Sequence, residues 1–561
     1  MEDKRRKLRS GGALAPEKPV RRRAAGGRLA SAARLPCTSI SNGGEGAPAP
    51  RHSAHNTRLN SRPRNQTITN GRLFRTAPVL PEKSSNKRAK SCYLLIALFL
   101  LMGVSLSLSA AEPARPNFVF VLGEGHGWSS TSVQMDDAVP ESKSAFVRTP
   151  NLEALAQGGM RFANFYAPSP RCTPSRAALV TGQSPARLHM TFVGEGKGES
   201  GLAANGRVLP PAAVMELPAG ATTLPALLLR AGYATAHFGK WHLGRADPRE
   251  YGYDESDGAN NNGGPDNVEN PHPKQLFLMT ERGLDFMARQ VKAGKPFYLQ
   301  LDHYASRRGG DARPESVAEV KRWGGGLGER DAETAAADWD LDVAFGMVLK
   351  KLDELGVAGN TYVIFTTDHG TPGRNVPFAG GKGTVSEGGL HVPLIIRGPG
   401  VKAGACSHVR IVGADLLPTL AELAHLAGPL PEGVEGGSFA GVLAAGGAGA
   451  VKRPREEYVV HFPHYDKDPI GPASALYLGD LKLVRAYESG ALKLFDIAKD
   501  PGERRDLAQE MPDKARELDA RLSDTLASVR AQMPSPNPNY DPGKPSETTP
   551  ERKGKGGKKG R

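Results

Sequence analysis

The sequence predicts an α/β fold: a large, mostly parallel sheet flanked by helices, followed by a smaller antiparallel sheet. Two observations carry this prediction. Apolar, strand-forming runs that end in polar or glycine residues, at 115–122 and 361–366, have the pattern of buried parallel strands. Between them, apolar residues at helical spacing over 341–355 predict a helix, and alternation of strands and helices is typical of a parallel sheet covered on both faces.

Each element follows from a local pattern. The first strand is expected to end at Gly123, and the helix over 341–355 is expected to stop at Gly356, because glycine favours a helix end. A further apolar run at 392–396 predicts another strand of the large sheet. Four short strand-like runs predict the antiparallel sheet, at 458–461, 475–478, 481–485 and 492–496.

Composition divides the 561 residues into five segments, which are a basic disordered leader at 1–90, a signal peptide at 91–111, a catalytic domain at 112–432, a C-terminal subdomain at 433–533 and a disordered basic tail at 534–561. The leader carries 21 Lys and Arg against 5 Asp and Glu with one aromatic residue, so it cannot form a core. A gene start placed too far upstream is the other interpretation of it. The glycine-rich stretch 433–449 is expected to be a linker. The net charge of +14 comes from the two ends, so nucleic acid is not expected as a partner.

A basic stretch, the apolar run 93–108 and the small residues Ser109-Ala110-Ala111 have the order of a secretory signal, which predicts export to the periplasm or the extracellular space. The run is shorter than the ~20 residues of a bilayer-spanning helix. A retained membrane anchor is the alternative. The exported chain keeps two cysteines, Cys172 and Cys406, which allow one disulfide or a special role for one thiol.

Polar residues that follow strand ends are candidate site residues. Glu124 follows the first predicted strand, and Asp368 and His369 follow the strand at 361–366. Because ligands bind beyond the carboxyl ends of parallel strands, we expect these three side chains at a site.

The most informative segment is 170–182, Pro-Arg-Cys-Thr-Pro-Ser-Arg-Ala-Ala-Leu-Val-Thr-Gly. Pro174 is expected at the first position of a helix and Gly182 just past its end. Cys172 would then lie at a helix N-terminus, which favours anions, and Arg176 would add a bidentate donor. The pattern predicts an anion site with a reactive side chain. A buried cysteine beside a helix cap is the alternative.

Two motifs resemble signatures of the sulfatase family, whose fold is alkaline-phosphatase-like. The first is Cys-x-Pro-Ser-Arg followed by Leu-Val-Thr-Gly, and the second is Gly-Tyr-Ala-Thr-Ala-His-Phe-Gly-Lys-Trp-His at 232–242. Weaker similarities extend the resemblance over roughly 115–510. It implies that a maturation enzyme oxidises Cys172 to formylglycine, whose hydrate is the nucleophile.

The same resemblance implies roles for the other site residues. Lys240 and Arg176 would hold the sulfate and the formylglycine oxygens, His242 would act as the base that releases sulfate, and Lys382 would stabilise the leaving oxygen. The expected metal ligands are Glu124, Asp368 and His369, with Ca²⁺ as the cation in most members and another divalent cation as the alternative. The expected function is that of an exported sulfuric-ester hydrolase acting on a sulfated small molecule or polysaccharide.

Departures from the family pattern concern the cation and the leaving group. Glu124-Gly125 stands where the family has an Asp-Asp pair, which predicts weak Ca²⁺ binding that Gly125→Asp would tighten if Gly125 does not need positive φ. The adjacent His126 raises a softer metal ion as an alternative. Arg307 stands where many members have a histidine, and Asp302 and His303, at a strand end, are further candidates by position.

These departures leave two other functions open. One is a catalytically weak or inactive sulfatase-like binding protein, and the other is a phosphonate or phosphate ester hydrolase on the same scaffold.

Overall fold

The computed structural model describes residues 115–193, 203, 205–261, 276–304, 312–324, 326–373 and 375–544. The strands are β1 (Asn117–Gly123), β2 (Met160–Phe162), β3 (Phe165–Tyr166), β4 (Val208–Leu209), β5 (Ala234–Gly239), β6 (Glu255–Ser256), β7 (Phe297–Asp302), β8 (Thr361–Thr367), β9 (Leu394–Arg397), β10 (Ala405–Ser407), β11 (Ile411–Val412), β12 (Tyr458–Phe462), β13 (Ala473–Leu478), β14 (Leu481–Ala486), β15 (Leu492–Asp496) and β16 (Ser535–Pro536). The leader, the signal segment, Arg307 and most of the basic tail lie outside the described residues.

The helices are α1 (Pro150–Gln157), α2 (Cys172–Thr181), α3 (Pro185–Leu188), α4 (Leu224–Arg230), α5 (Leu276–Lys292), α6 (Pro314–Arg322), α7 (Glu329–Glu354), α8 (Glu387–Leu390), α9 (Leu416–Leu423), α10 (Ala440–Ala444) and α11 (Pro512–Ser528). Short 3₁₀ turns occur at Pro140–Ser142, Pro248–Tyr251, Ala358–Asn360 and Gly413–Asp415. Within the described ranges, no helix has the length and apolar character of a membrane span.

The central sheet has eight strands in the order β10-β2-β9-β8-β1-β7-β5-β6. Strand β1 pairs in parallel with β7 on one side and β8 on the other, and every residue of β1 and β8 is buried. Of the eight strands, β9 alone runs opposite to the rest. The predicted mostly parallel sheet is therefore confirmed, with one reversed strand.

Both faces of the sheet are covered, because alternate side chains of β1 enter different cores. Phe118 and Phe120 pack in a cluster with α4 and α9. Val119 and Val121 pack in the opposite cluster, against α5 and the buried face of α7. This division confirms the prediction of helices on both faces.

The second sheet is antiparallel, with the order β12-β13-β14-β15. Helix α11 covers it through Leu518, Leu522 and Leu526, which pack in one apolar cluster with side chains of β13, β14 and β15. The predicted smaller antiparallel sheet is confirmed.

Two expectations from the C-terminal sequence differ from the structure. The glycine-rich stretch 433–449 is not simply a linker, because it contains α10, and Phe439, Val442 and Leu443 are buried in the core of the large sheet. Residues 534–544, at the start of the expected tail, are described: Ser535–Pro536 pair with Val208–Leu209. The high glycine content of 433–449 favoured the prediction of a linker. The helix was not predicted because only a few apolar residues of this stretch reach the core.

Candidate active site

Four neighbouring parallel strands bring their carboxyl ends to one edge of the central sheet. In spatial order they are β8, β1, β7 and β5. Asp368, Glu124, Asp302 and Lys240 stand at these ends, and each is buried. The register of parallel pairing therefore places residues far apart in the sequence at one location.

Helix α2 brings Cys172 to this edge. The helix begins at Cys172, so Pro174 occupies its third position and not the first. At the third position the missing N–H of proline is still not needed for an intrahelical bond. The helix ends at Thr181, and Gly182 follows it in the left-handed conformation, with a φ of 67°, just past the helix end as predicted. Ser175 fixes the preceding turn, since its Oγ accepts from the Ser169 N–H at 3.1 Å and donates to the Ser169 carbonyl at 2.7 Å.

The Cys172 side chain is enclosed by the strand-end residues. Its Sγ lies 3.1 Å from Glu124 Oε1 and 3.1 Å from His369 Nε2, and Lys382 Nζ lies 3.5 Å away. Burial and the Glu124 carboxylate oppose ionisation of the thiol, yet Lys240, Lys382 and His369 outweigh them and hold the pKa of Cys172 well below its usual value. The surroundings thus stabilise negative charge on this side chain.

Glu124 forms ion pairs with several basic side chains of the site. Lys240 Nζ donates to Glu124 Oε2 at 2.8 Å, and Lys382 Nζ lies 3.4 Å from Oε1. Burial favours the neutral acid, but the two lysines keep the pKa of Glu124 well below its usual value. Burial and the Glu124 charge raise the pKa of Asp368 to about 7. Burial disfavours the charged form of His369, but the Asp368 carboxylate raises its pKa to about 9.

Arg176 binds three carboxylates. It donates to Asp368 Oδ2 at 3.1 Å, to Asp302 Oδ2 at 2.9 Å and to Glu124 Oε2 at 3.0 Å, and also to the Lys240 carbonyl at 2.6 Å. The resemblance implies that Arg176 holds sulfate oxygens. In the structure its guanidinium pairs with the carboxylates at the strand ends, and the role toward sulfate stays a prediction.

His242 is buried at 3% exposure, and neither ring nitrogen makes a hydrogen bond to any described residue. Its backbone has a φ of 58°, and its carbonyl accepts from Thr173 Oγ1 at 3.0 Å, which ties the loop to α2. Burial and the charge of Lys240 lower the pKa of His242, while Cys172 acts in the opposite direction. The lowered pKa favours the neutral imidazole, which is the form that the predicted role as a base requires.

Two supporting residues were weakly indicated or missed by sequence reasoning. Asp302, a candidate by position, joins Arg176 to His237 Nε2, which lies 3.2 Å from its Oδ2. Asn260 was missed: its Oδ1 accepts from the Trp241 N–H at 2.9 Å and its Nδ2 donates to the Gly239 carbonyl at 2.8 Å. No motif surrounds Asn260, so only the fold reveals that it holds the loop carrying Lys240.

Other candidates lie outside the cluster. His126 Nδ1 lies 3.3 Å from Asp338 Oδ1, and His126 is not part of the group of Glu124, Cys172, Asp368 and His369. Cys172 and Cys406 are both free, so they form no disulfide. Gly125 has a φ of 63°, so the condition attached to Gly125→Asp is not met, and an added Cβ would lie 3.2 Å from His369 Cε1.

The C-terminal sheet supports the loop that carries Lys382. Lys482 of β14 is fully buried and pairs with Glu387 at 2.9 Å and Glu503 at 2.7 Å, and it donates to the Val385 carbonyl at 2.9 Å. Val385 and Glu387 follow Lys382 closely in the chain. The position of Lys382 therefore depends on residues contributed by the second sheet.

The cluster also contains groups that can bind a metal ion. Glu124, Cys172, Asp368 and His369 each offer one donor atom, and these atoms lie within 4.8 Å of one another. Two carboxylates and an imidazole fit a divalent metal ion that accepts nitrogen. They do not fit Ca²⁺, which takes about six to eight oxygen ligands.

Comparison with known proteins identifies sulfatases as relatives of this chain. The Sulfatase family profile matches residues 116–426, and the profile described as N-sulphoglucosamine sulphohydrolase, C-terminal, matches 381–532. The chain is 31% identical to N-acetylgalactosamine-6-sulfatase of Mus musculus over 386 residues, which are 62% of this chain and 69% of the relative. It is 30% identical to arylsulfatase A of Homo sapiens over 477 residues, 73% of this chain and 86% of the relative.

Among solved structures, a protein in complex with its substrate D-glucosamine-2-N,6-O-disulfate superposes with a TM-score of 0.57 at 20% identity. The superposition covers 74% of this chain and 98% of that chain. At this level of identity the likeness concerns the fold.

Proposed function

Because the chain belongs to the sulfatase family and is a sulfuric ester hydrolase, we propose that it removes sulfate from a sulfated carbohydrate through a nucleophile derived from Cys172. The observation that carries the proposal is a buried thiol at a helix N-terminus, with Lys382 Nζ 3.5 Å from its sulfur and with Lys240 and His242 near enough to interact with its charge. Sulfated carbohydrate as the substrate class is supported by the relative from Mus musculus, which is an N-acetylgalactosamine-6-sulfatase.

The proposed role of each side chain follows from its charge. Lys240 and Lys382, whose charges both act on position 172, stabilise the negative charge of a sulfate group and of the leaving oxygen. His242, neutral and buried, accepts the proton that must leave before sulfate is released. Arg176 keeps the carboxylates in place around the site.

We include formylglycine and a divalent cation in the proposal. The maturation enzyme would supply the oxidant that converts Cys172 to formylglycine with loss of the sulfur. Addition of water to the aldehyde would give a hydrate, and the residues around position 172 would activate its hydroxyl as the nucleophile. Glu124, Asp368 and His369 would hold the cation, which supplies positive charge opposite the reacting sulfate. Family resemblance implies Ca²⁺ for that cation, and the nitrogen donor of His369 argues for another ion.

We also propose export, on the sequence of residues 91–111 alone. N-terminal sequencing of the exported protein should find a first residue within a few positions of Glu112. A mature protein that keeps residues 1–90 would contradict this.

The test of the proposed function compares Cys172→Ala with Cys406→Ala. Both proteins are produced with a formylglycine-generating enzyme and assayed on an aryl sulfate and on sulfated N-acetylgalactosamine and glucosamine. Mass spectrometry of the peptide that contains residue 172 reports whether the thiol has become an aldehyde. We expect hydrolysis by the wild type, its loss in Cys172→Ala and little change in Cys406→Ala, because Cys406 is half-buried and distant from the site motifs.

Three outcomes would contradict the proposal. Equal loss in both variants would show that the nucleophile is not specific to Cys172. Hydrolysis of an aryl phosphonate but not of any sulfate would assign the alternative ester class. An aldehyde at residue 172 with no hydrolysis of any substrate would favour a binding protein.

A further inference from the structure

The orientation of His369 is fixed by a backbone carbonyl. Its Nδ1 lies 2.9 Å from the Gly370 oxygen. Because a carbonyl oxygen can only accept, Nδ1 carries the hydrogen and donates it. The other nitrogen, Nε2, points into the cluster, 3.5 Å from Asp368 Oδ1 and 3.6 Å from Glu124 Oε1. A histidine whose Nδ1–H is held by a carbonyl is the usual arrangement of a metal ligand.

Gly125 makes room for that ring. A Cβ at residue 125 would lie 3.2 Å from His369 Cε1, closer than side chains normally pack, and the φ of 63° disfavours other residues. The missing second carboxylate of the first strand and the histidine after β8 are therefore linked. The imidazole ring lies next to the backbone at residue 125, so the first strand supplies one carboxylate, and the nitrogen donor comes from His369.

The surrounding cations reduce the negative charge that the carboxylates offer to any divalent cation, and Ca²⁺ depends most on that charge because its ligands are oxygens. Ca²⁺ binds through the charge and number of its oxygen ligands. Here Glu124 already receives Lys240 at 2.8 Å and Arg176 at 3.0 Å, and Asp368 receives Arg176 at 3.1 Å. A nitrogen donor favours borderline metals. A neutral imidazole contributes to metal affinity without carrying a negative charge, unlike a carboxylate.

We propose that this site selects a divalent first-row transition metal, represented by Zn²⁺, over Ca²⁺, with His369 Nε2 and one carboxylate oxygen each of Glu124 and Asp368 as protein ligands. The proposal deepens the proposed function by naming the class of its cation. Its test measures metal binding, which is independent of ester hydrolysis.

The experiment uses the full chain with Cys172→Ser, so that a thiolate cannot account for the affinity. Metal-free protein is titrated calorimetrically with Zn²⁺ and, separately, with Ca²⁺. His369→Asn in the same background supplies an oxygen donor of similar size, and His408→Asn, at an exposed histidine, is the matched control. X-ray absorption of the Zn²⁺-loaded proteins reports whether an imidazole is bound to the metal.

We expect Zn²⁺ to bind more tightly than Ca²⁺, with imidazole scattering in the spectrum. His369→Asn should weaken Zn²⁺ by at least the ~10–100-fold that loss of an outer-shell partner causes, and should remove the imidazole signal, whereas His408→Asn should change neither. The proposal is overturned if Ca²⁺ binds as tightly as Zn²⁺, if neither ion binds, or if the wild-type histidine gives no imidazole scattering.

The spectrum of the protein with His369 intact decides the ligand even if the variant does not fold. Failure of this metal preference with Cys172-dependent hydrolysis intact would overturn the metal inference alone. Loss of hydrolysis with His369-dependent Zn²⁺ binding intact would overturn the proposed function alone.

Discussion

Lys482 offers a measurable test of how the two sheets are joined. Its ammonium group pairs with two carboxylates, Glu387 at 2.9 Å and Glu503 at 2.7 Å. The side-chain exposure is 0% for Lys482, 1% for Glu387 and 5% for Glu503. Lys482→Met keeps the length of the side chain and removes the charge. Removing one partner of a buried ion pair costs about 3–5 kcal/mol. Against a typical stability of ~5–15 kcal/mol, that loss is large.

The loss should depend on pH. In the wild type, burial raises the pKa of Glu387 but Lys482 outweighs it, and the pKa lies below its ordinary value. A depressed pKa contributes stability that is present above the unfolded pKa of ~4.3 and is lost as the pH falls. Without Lys482, burial raises the pKa of Glu387, so the variant loses stability as the pH rises through that value. The difference between the two proteins should therefore be larger at pH 7 than at pH 5.

The assay is urea unfolding followed by tryptophan fluorescence at both pH values. Lys499→Met is the control, because Lys499 pairs with Asp496 at 2.6 Å but its side chain is 86% exposed, and exposed pairs contribute little. We expect a clear drop in the midpoint for Lys482→Met and almost none for the control. Equal midpoints for the two variants, or the same drop at pH 5 and pH 7, would refute the reasoning.

Two further predictions concern the site. His242→Gln should lower kcat by ~10²–10⁴-fold, because glutamine cannot accept the proton. Since the pKa of His242 is lowered, its protonation should contribute to the fall of wild-type kcat/KM below about pH 6.5, and the variant should lack that contribution. An acid limb that is unchanged in the variant would contradict the role. Gly125→Asp should destabilise the protein by ~1 kcal/mol or more without tightening Ca²⁺. Gly220→Asp, with a φ of 75° and open space around it, is the control, and an equal fall in Tm would show that His369 contributes nothing.

The sequence predicts the parts of this site that depend on neighbours in the chain. Cys172 and Lys240 lie in continuous motifs, and Glu124 and Asp368 follow strands that apolar runs reveal. The structure brings these residues into one cluster, because the four strands are parallel and adjacent.

Contacts that depend on register or on distant segments could not be predicted in the same way. Asp302 reaches Arg176 only because β7 lies beside β5 with Gly239 opposite it. Lys482 is a single lysine in a short strand, and nothing nearby in the sequence marks its buried carboxylate partners. The positive φ of Gly125 is likewise visible only in the folded backbone.

The burial of Cys172 has a consequence for the time at which it can be modified. The thiol is 2% exposed, and the side chains that enclose it are 197 and 210 residues further along the chain, at His369 and Lys382. At ~5–20 residues per second, a ribosome needs about 10–40 s to synthesise that stretch. During this interval Cys172 is present in the nascent chain without the residues that later cover it. The proposed oxidation of the thiol would therefore have to be complete before 368–382 fold against it, and a chain that folds first would stay unoxidised.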